Sequence, residues 1–128
     1  MSLTSSTVSV NESGFDGGGI AAPFGSVSLI SSTVSGNEAG GAGGGVFVAD
    51  TSTNPNFTIT NSIIAGNLQN VTGPGVGAPN DLVVDPDSVL TINHNVIGVA
   101  DNLGVITGNT GNLTGTATDP LDLSLIHI

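Results

Sequence analysis

The sequence predicts an all-β chain folded as a parallel β-helix, a solenoid of coils in which each strand pairs with its counterpart in the next coil. Three observations carry this. TSSTVSVNESGFDGGGIAA at 4–22 returns nearly intact as ISSTVSGNEAGGAGGGVFV at 30–48, and a repeat of this length is the signature of a stacked architecture. No long window shows the i, i+3, i+4, i+7 spacing of an amphipathic helix. β-Branched residues alternate with Ser and Thr in short runs bounded by Gly, Asn and Ser, the pattern of half-buried strands between turns.

The repeat has a register. With Leu3, Leu29 and Ile59 at position zero, Ser6, Ser32 and Ser62 coincide, as do Val8, Val34 and Ile64. Further along, Asn11, Asn37 and Asn67 share a position, then Gly17, Gly43 and Gly73, then Ile20, Val46 and Val76. The zero positions are 26 and 30 residues apart, and 31 more reach Leu90 as the opening of a fourth coil. Three short strands per coil are expected, in about three to four coils. SVSLI (26–30), TVSG (33–36) and GVFV (45–48) make one coil; NFTIT (56–60), IIAG (63–66) and GVGA (75–78) make the next. Alternation turns Val27, Leu29, Phe57 and Ile59 to one face. The following Ser-Ser or Asn-Ser pair bends the chain, and Val34 or Ile64 returns to the interior. Coils over 1–98 and a Gly/Thr-rich closing segment over 99–122 form one domain.

The recurrent polar residues have a structural reading. An amide both donates and accepts, so Asn11, Asn37 and Asn67, stacked at one turn, form a ladder. Gly17, Gly43 and Gly73 open the glycine segments, where the chain turns with positive φ before re-entering a strand. A phosphate-binding loop is the other use of such glycines, but it needs a following helix or a Lys, and the chain has neither pattern.

Charge excludes whole classes of function. There are no Lys or Arg residues and ten acids, for a formal net charge of −10. Such a chain cannot neutralise phosphates, so it is not a nucleic-acid binder, nor is it drawn to anionic lipid. No run approaches the length of a membrane span, and with no Cys there is no disulfide or thiol chemistry.

Chemistry-bearing residues are few. Asp81, Asp85 and Asp87 lie close together in NDLVVDPDS, near His94. Clustered carboxylates suit calcium, and paired ones suit acid–base work on a glycosidic bond. Asp-Pro-Asp-Ser is also plain turn chemistry, and the turn is the preferred reading, with calcium as the weak cofactor candidate. His94 is read as stacking or capping beside its strand. No catalytic set is assigned. The variable loops at 21–26, 49–56 and 77–88 are the candidate binding edge, because insertions in solenoids collect on one side.

LISSTVSGNEAGGAGGGVFV and ITNSIIAGN resemble the repeats of bacterial right-handed β-helix proteins with a pectin-lyase-like fold. NDLVV (80–84), HNVIG (94–98) and GNLTGTATDPL (111–121), in that order, resemble the closing segment of choice-of-anchor Q domain surface proteins. Val96 stands where that pattern has Leu, and its continuation after Asp-Pro-Leu is missing. The resemblance implies a secreted or surface-displayed bacterial stalk, passenger or adhesin without catalysis, with a carbohydrate or another surface molecule as partner. The alternative it implies is an incomplete carbohydrate-active enzyme whose catalytic residues lie elsewhere. The last six residues, LSLIHI (123–128), match the translation of a common sequencing adapter. They are expected to add nothing to the fold, and the chain is expected to be a fragment whose uncapped ends self-associate.

Overall fold

A computed structural model describes residues 1–49, 56–73, 75–86, 88–101, 105–116, 118, 119 and 121. The tail at 123–128, the loop at 50–55 and Asp87 lie outside the described residues. The described chain is all-β, without a helix.

Strands follow one another in a repeating order. The first unit holds β1 (Ser2–Thr4), β2 (Thr7–Ser9), β3 (Glu12–Ser13) and β4 (Ile20–Ala22). The second holds β5 (Val27–Ile30), β6 (Thr33–Ser35), β7 (Glu38–Ala39) and β8 (Val46–Val48). The third holds β9 (Asn56–Thr60), β10 (Ile63–Ala65), β11 (Leu68–Gly73), β12 (Val76–Pro79) and β13 (Leu82–Val84). Then come β14 (Val89–Asn93), β15 (Val96–Ile97) and β16 (Ala100–Asp101), and finally β17 (Val105–Thr110) and β18 (Leu113–Thr114). The first sheet runs β1-β5-β9-β14-β17 and the second β2-β6-β10-β15-β18. The third runs β3-β7-β11-β12 and the fourth β4-β8-β13-β16. Every pairing is parallel except the β11–β12 hairpin.

The first two units therefore have four strands each where the sequence suggested three. The extra one is the two-residue β3 or β7, too short to show alternation. The fourth unit also opens elsewhere: Ile92, not Leu90, pairs with Ile59, and Leu90 pairs with Phe57. Both residues of each strand point inward, so a slip of two keeps the apolar face and is invisible to pattern matching. The true spacings are 26, 30 and 33 residues. A larger correction concerns Gly73 and Val76. They face each other in the hairpin and Val76 is exposed, whereas the residue that pairs with Val46 is Leu82. The third unit carries an inserted hairpin, and GVGA lies on its outer arm rather than in a wall.

Apolar columns fill the interior. Leu29, Ile59 and Ile92 stack on the first sheet, Val34, Ile64 and Ile97 on the second, and Val46 and Leu82 on the fourth; all are buried. Leu3 and Val8 continue two of these columns into the first unit, where they are only half-buried. Burying one such side chain fully contributes about 1.5–3 kcal/mol, so the columns are the principal apolar stabilisation.

Turns between sheets need left-handed backbone at fixed places. After each strand of the first sheet stands a positive-φ residue: Ser5, Ser31, Asn61, His94 and Gly111. His94 is thus a corner residue, its ring lying over Gly111. After the second sheet the same conformation falls on Gly36 and Gly66, but in the first unit on Val10, at φ 56° and fully exposed. For a β-branched residue this is a genuine outlier. Left-handed backbone costs an L residue roughly 1–2 kcal/mol, and glycine's extra chain entropy offsets about half of that relief. Val10→Gly is therefore expected to stabilise the chain by about 0.5–1 kcal/mol, read as a higher denaturant midpoint at unchanged slope. A lower midpoint would show that Val10 is not strained.

Candidate functional site

The polar residues of the repeat converge on two internal ladders. In the first, the Asn11 side chain donates to Asn37 Oδ1 at 2.8 Å and Asn37 to Asn67 Oδ1 at 2.8 Å. The backbone N–H of each Asn donates to the same oxygen of the next. Asn37 also donates to Val8 O and Asn67 to Val34 O, both at 3.1 Å. Asn37 and Asn67 are fully buried, and every amide hydrogen is occupied by a rung above or a carbonyl below.

The second ladder runs along the corner after the first sheet. Ser6 N donates to Ser32 Oγ, Ser32 N to Ser62 Oγ, Ser62 N to Asn95 Oδ1, and Asn95 N to Asn112 Oδ1, at 2.9 to 3.2 Å. Asn95 and Asn112 are ladder members that the sequence reading missed. The signal was available: each stands immediately before its strand of the second sheet, as Ser32 and Ser62 do.

The asparagine ladder ends on a carboxylate. Asp81 Oδ1 accepts Asn67 N at 2.8 Å and Asn67 Nδ2 at 2.7 Å, and its Oδ2 accepts Val99 N at 2.8 Å. The fourth unit passes from Ile97 to Ala100 without a strand in the third sheet, so no Asn is available there. Asp81 fills the slot from the position of Gly45, just before Leu82. A carboxylate fits because both its oxygens face N–H groups; an amide would set N–H against N–H. Burial pushes the Asp81 carboxyl above its ordinary range, against the pull of the Asn67 and Val99 donations.

Glycines make room for the ladder. Gly43, like Gly17, has positive φ as expected, at 66° and 72° respectively. Gly73 does not share this role. At Gly45 a Cβ would press on the Asn67 amide at 2.8 Å, and at Gly98 on Asp81 Oδ2 at 2.6 Å.

Asp81 is thereby withdrawn from the calcium reading, its oxygens being occupied by N–H donors. Asp85 lies in a β-turn closed by Ser88 N on Asp85 O at 2.9 Å, with Pro86 at the second position, as the turn reading expects. Among the described residues, no three metal-ligating side chains come together.

An open concavity with two carboxylates lies on the third sheet. Glu12 pairs in register with Glu38 on its outer side, beside Thr72 and Gly73 of the hairpin, around a cleft of about 480 Å³. Glu38 Oε1 accepts Gly75 N at 3.1 Å, which ties the hairpin to the sheet. A smaller depression of about 370 Å³ on the fourth sheet is lined by Phe47, Val83, Asp85 and Pro86.

No protein-family model, curated protein or solved structure matches this chain.

Breaking a rung isolates its neighbours. Asn37→Leu leaves Asn11 N and Nδ2 without their acceptor in the ladder and takes from Asn67 Oδ1 its side-chain donor, the backbone N–H of residue 37 remaining, and should destabilise by about 1–3 kcal/mol. An unchanged denaturation midpoint would remove the ladder's energetic role. Asp81 adds a pH dependence. Between the ordinary carboxylate value and the raised one, the folded chain holds the extra proton. Asp81's contribution is therefore fully present below the ordinary value and falls as pH rises through the raised one. Thermal midpoints measured from pH 7 down to about pH 4 should rise more for the parent chain than for Asp81→Asn. Parallel profiles would contradict this.

Proposed function

We propose that the chain is part of a right-handed parallel β-helix serving as a structural or interaction module on a bacterial surface, with no catalysis of its own. The observation that carries the architecture is the shared register of four sheets, each taking one parallel strand from each of the first three units in the same chain order. Parallel crossovers are right-handed in nearly all proteins, which supports the hand. The resemblance of the repeats to pectin-lyase-like coils, and of 80–121 to the choice-of-anchor Q closing segment, supports surface display.

The use of polar groups supports a non-catalytic role. Ser32, Ser62, Asn37, Asn67, Asn95 and Asp81 are buried and bonded to one another or to backbone. Buried polar groups so committed position walls rather than substrates. A second reading, a carbohydrate-active enzyme, is favoured by one observation: the Glu12–Glu38 pair beside an open cleft. Two carboxylates are the minimum for glycoside hydrolysis.

Unit deletion tests the architecture, because repeat stabilities add along a stack. Removing residues 3–28 joins Ser2 to Leu29 in register and should leave a cooperatively folding chain of the same strand character with a lower midpoint. Loss of all folded structure would overturn the stacked-unit reading. The intact chain, incubated with plant and bacterial polysaccharides, should release neither reducing ends nor unsaturated products. Release that disappears in Glu12→Gln would establish the enzymatic reading instead.

A further inference from the structure

We infer, on the stacked-unit reading, that the outer face of the first sheet is an ice-binding surface, an in-register array of hydroxyl and methyl groups whose partner is the face of an ice crystal. The stack thereby gains a partner of stated chemistry.

Alternation along β1, β5, β9 and β14 sends every second residue outward. Leu29, Phe57, Ile59, Leu90 and Ile92 are buried. Ser28, Thr58, Thr60, Thr91 and Asn93 beside them are half-buried, and Ser2, Thr4 and Ile30 are exposed. Strand register arranges the outward residues in two files. Ser2, Ser28, Thr58 and Thr91 form one; Thr4, Ile30, Thr60 and Asn93 form the other. Thr107 and Thr110 of β17 pair with Thr91 and Asn93 and continue both. Steps along a file are about 4.8 Å, and the files lie about 6.6 Å apart. Ice repeats its surface oxygens at similar intervals along and across a prism face. Sheets of this width ordinarily twist, and side-chain ladders restrain the twist. Here the ladder of Ser6, Ser32, Ser62, Asn95 and Asn112 runs along the adjoining corner and holds each rank over the next.

Threonine suits this partner. Its hydroxyl both donates and accepts, as lattice water does, and its methyl restricts the water that touches it. A charged group would hold its own hydration shell, which is costly to remove. All ten acids lie outside the five strands of this sheet. The other faces differ. The third sheet sets Glu12 beside Glu38, and the fourth carries Phe47 and Val83. The second passes from Thr7 and Thr33 to Ile63 and Val96. A crystalline polysaccharide is the competing regular surface. Sugar rings are held chiefly on aromatic side chains, whose broad faces supply apolar contact. The chain has no Trp or Tyr, and Phe57, the one aromatic residue of these strands, is buried.

The test grows ice slowly from a dilute solution of the intact chain and measures protein in the ice and in the remaining liquid. The chain should be enriched in the ice. Thr58→Tyr and Thr60→Tyr each put a ring into one file and should lower the ice-bound share about tenfold, one decade of affinity. Ile63→Tyr, on the outer face of the second sheet, should leave that share unchanged, and circular dichroism checks the fold of each variant. Exclusion of the parent chain from ice would overturn the assignment, whatever the variants do. Equal enrichment of the parent and the two folded threonine variants would overturn it as well. Exclusion from ice with retention on microcrystalline cellulose or chitin would overturn it in favour of a polysaccharide face. Failure of the architecture would appear separately, as unfolding of the variant lacking residues 3–28.

Discussion

A buried amide left unpaired is costly, and for Asn37 the side chains that meet it stand at the same position of the neighbouring units. Asn37 is satisfied by Asn67, by Asn11 and by the carbonyl of Val8. Leaving one such group unpaired costs about 1–3 kcal/mol, so the ladders allow little freedom of register. Once the corners are fixed, Leu29 must lie on Ile59 and Val34 on Ile64. A one-residue slip would turn the whole apolar column outward. The apolar columns supply most of the stabilisation, while the amides decide which stacking is used.

Electrostatics takes almost no part in holding the chain together. Ten acids face no Lys or Arg. The attractive polar terms are therefore hydrogen bonds, and the net Coulomb term is self-repulsion, which salt screens. Glu12 lying in register with Glu38 illustrates this: like charges adjacent on a sheet are unfavourable. The arrangement is tolerated on an outer face. Among the described residues the one carboxylate drawn inside, Asp81, is placed where three N–H groups converge.

What could be read in the sequence is what repeats at constant spacing. Asn37 and Asn67, Val34 and Ile64, and Gly17 and Gly43 all stand where their recurrence placed them. Misreadings cluster where spacing changes. The hairpin of β11 and β12 inserts between Asn67 and Leu82, and its Gly73 and Val76 imitate the expected offsets while lying outside the wall. Asp81 was noticed only as one acid among neighbours. Its ladder role has no local signal, because it reaches the slot from another position in the repeat, and only the omission of a strand in the fourth unit creates the vacancy. Asn95 and Asn112 substitute for Ser at their corner, a change of residue type that strict column matching passes over.

The carboxylate plug also bears on how such a chain can diversify. The first two units are near copies, joined by contacts that any similar neighbour could supply, so a gene could gain or lose one of them by recombination. The third and fourth units are not interchangeable in this way. The third lends Asp81 across the boundary, and the fourth answers with the N–H of Val99 and the bare Cα of Gly98. Removing either strands the other with a buried charge or an empty slot. Duplication is thus open between the units that remain alike and closed across the boundary of the third and fourth, and inherited length variation should gather among the like units.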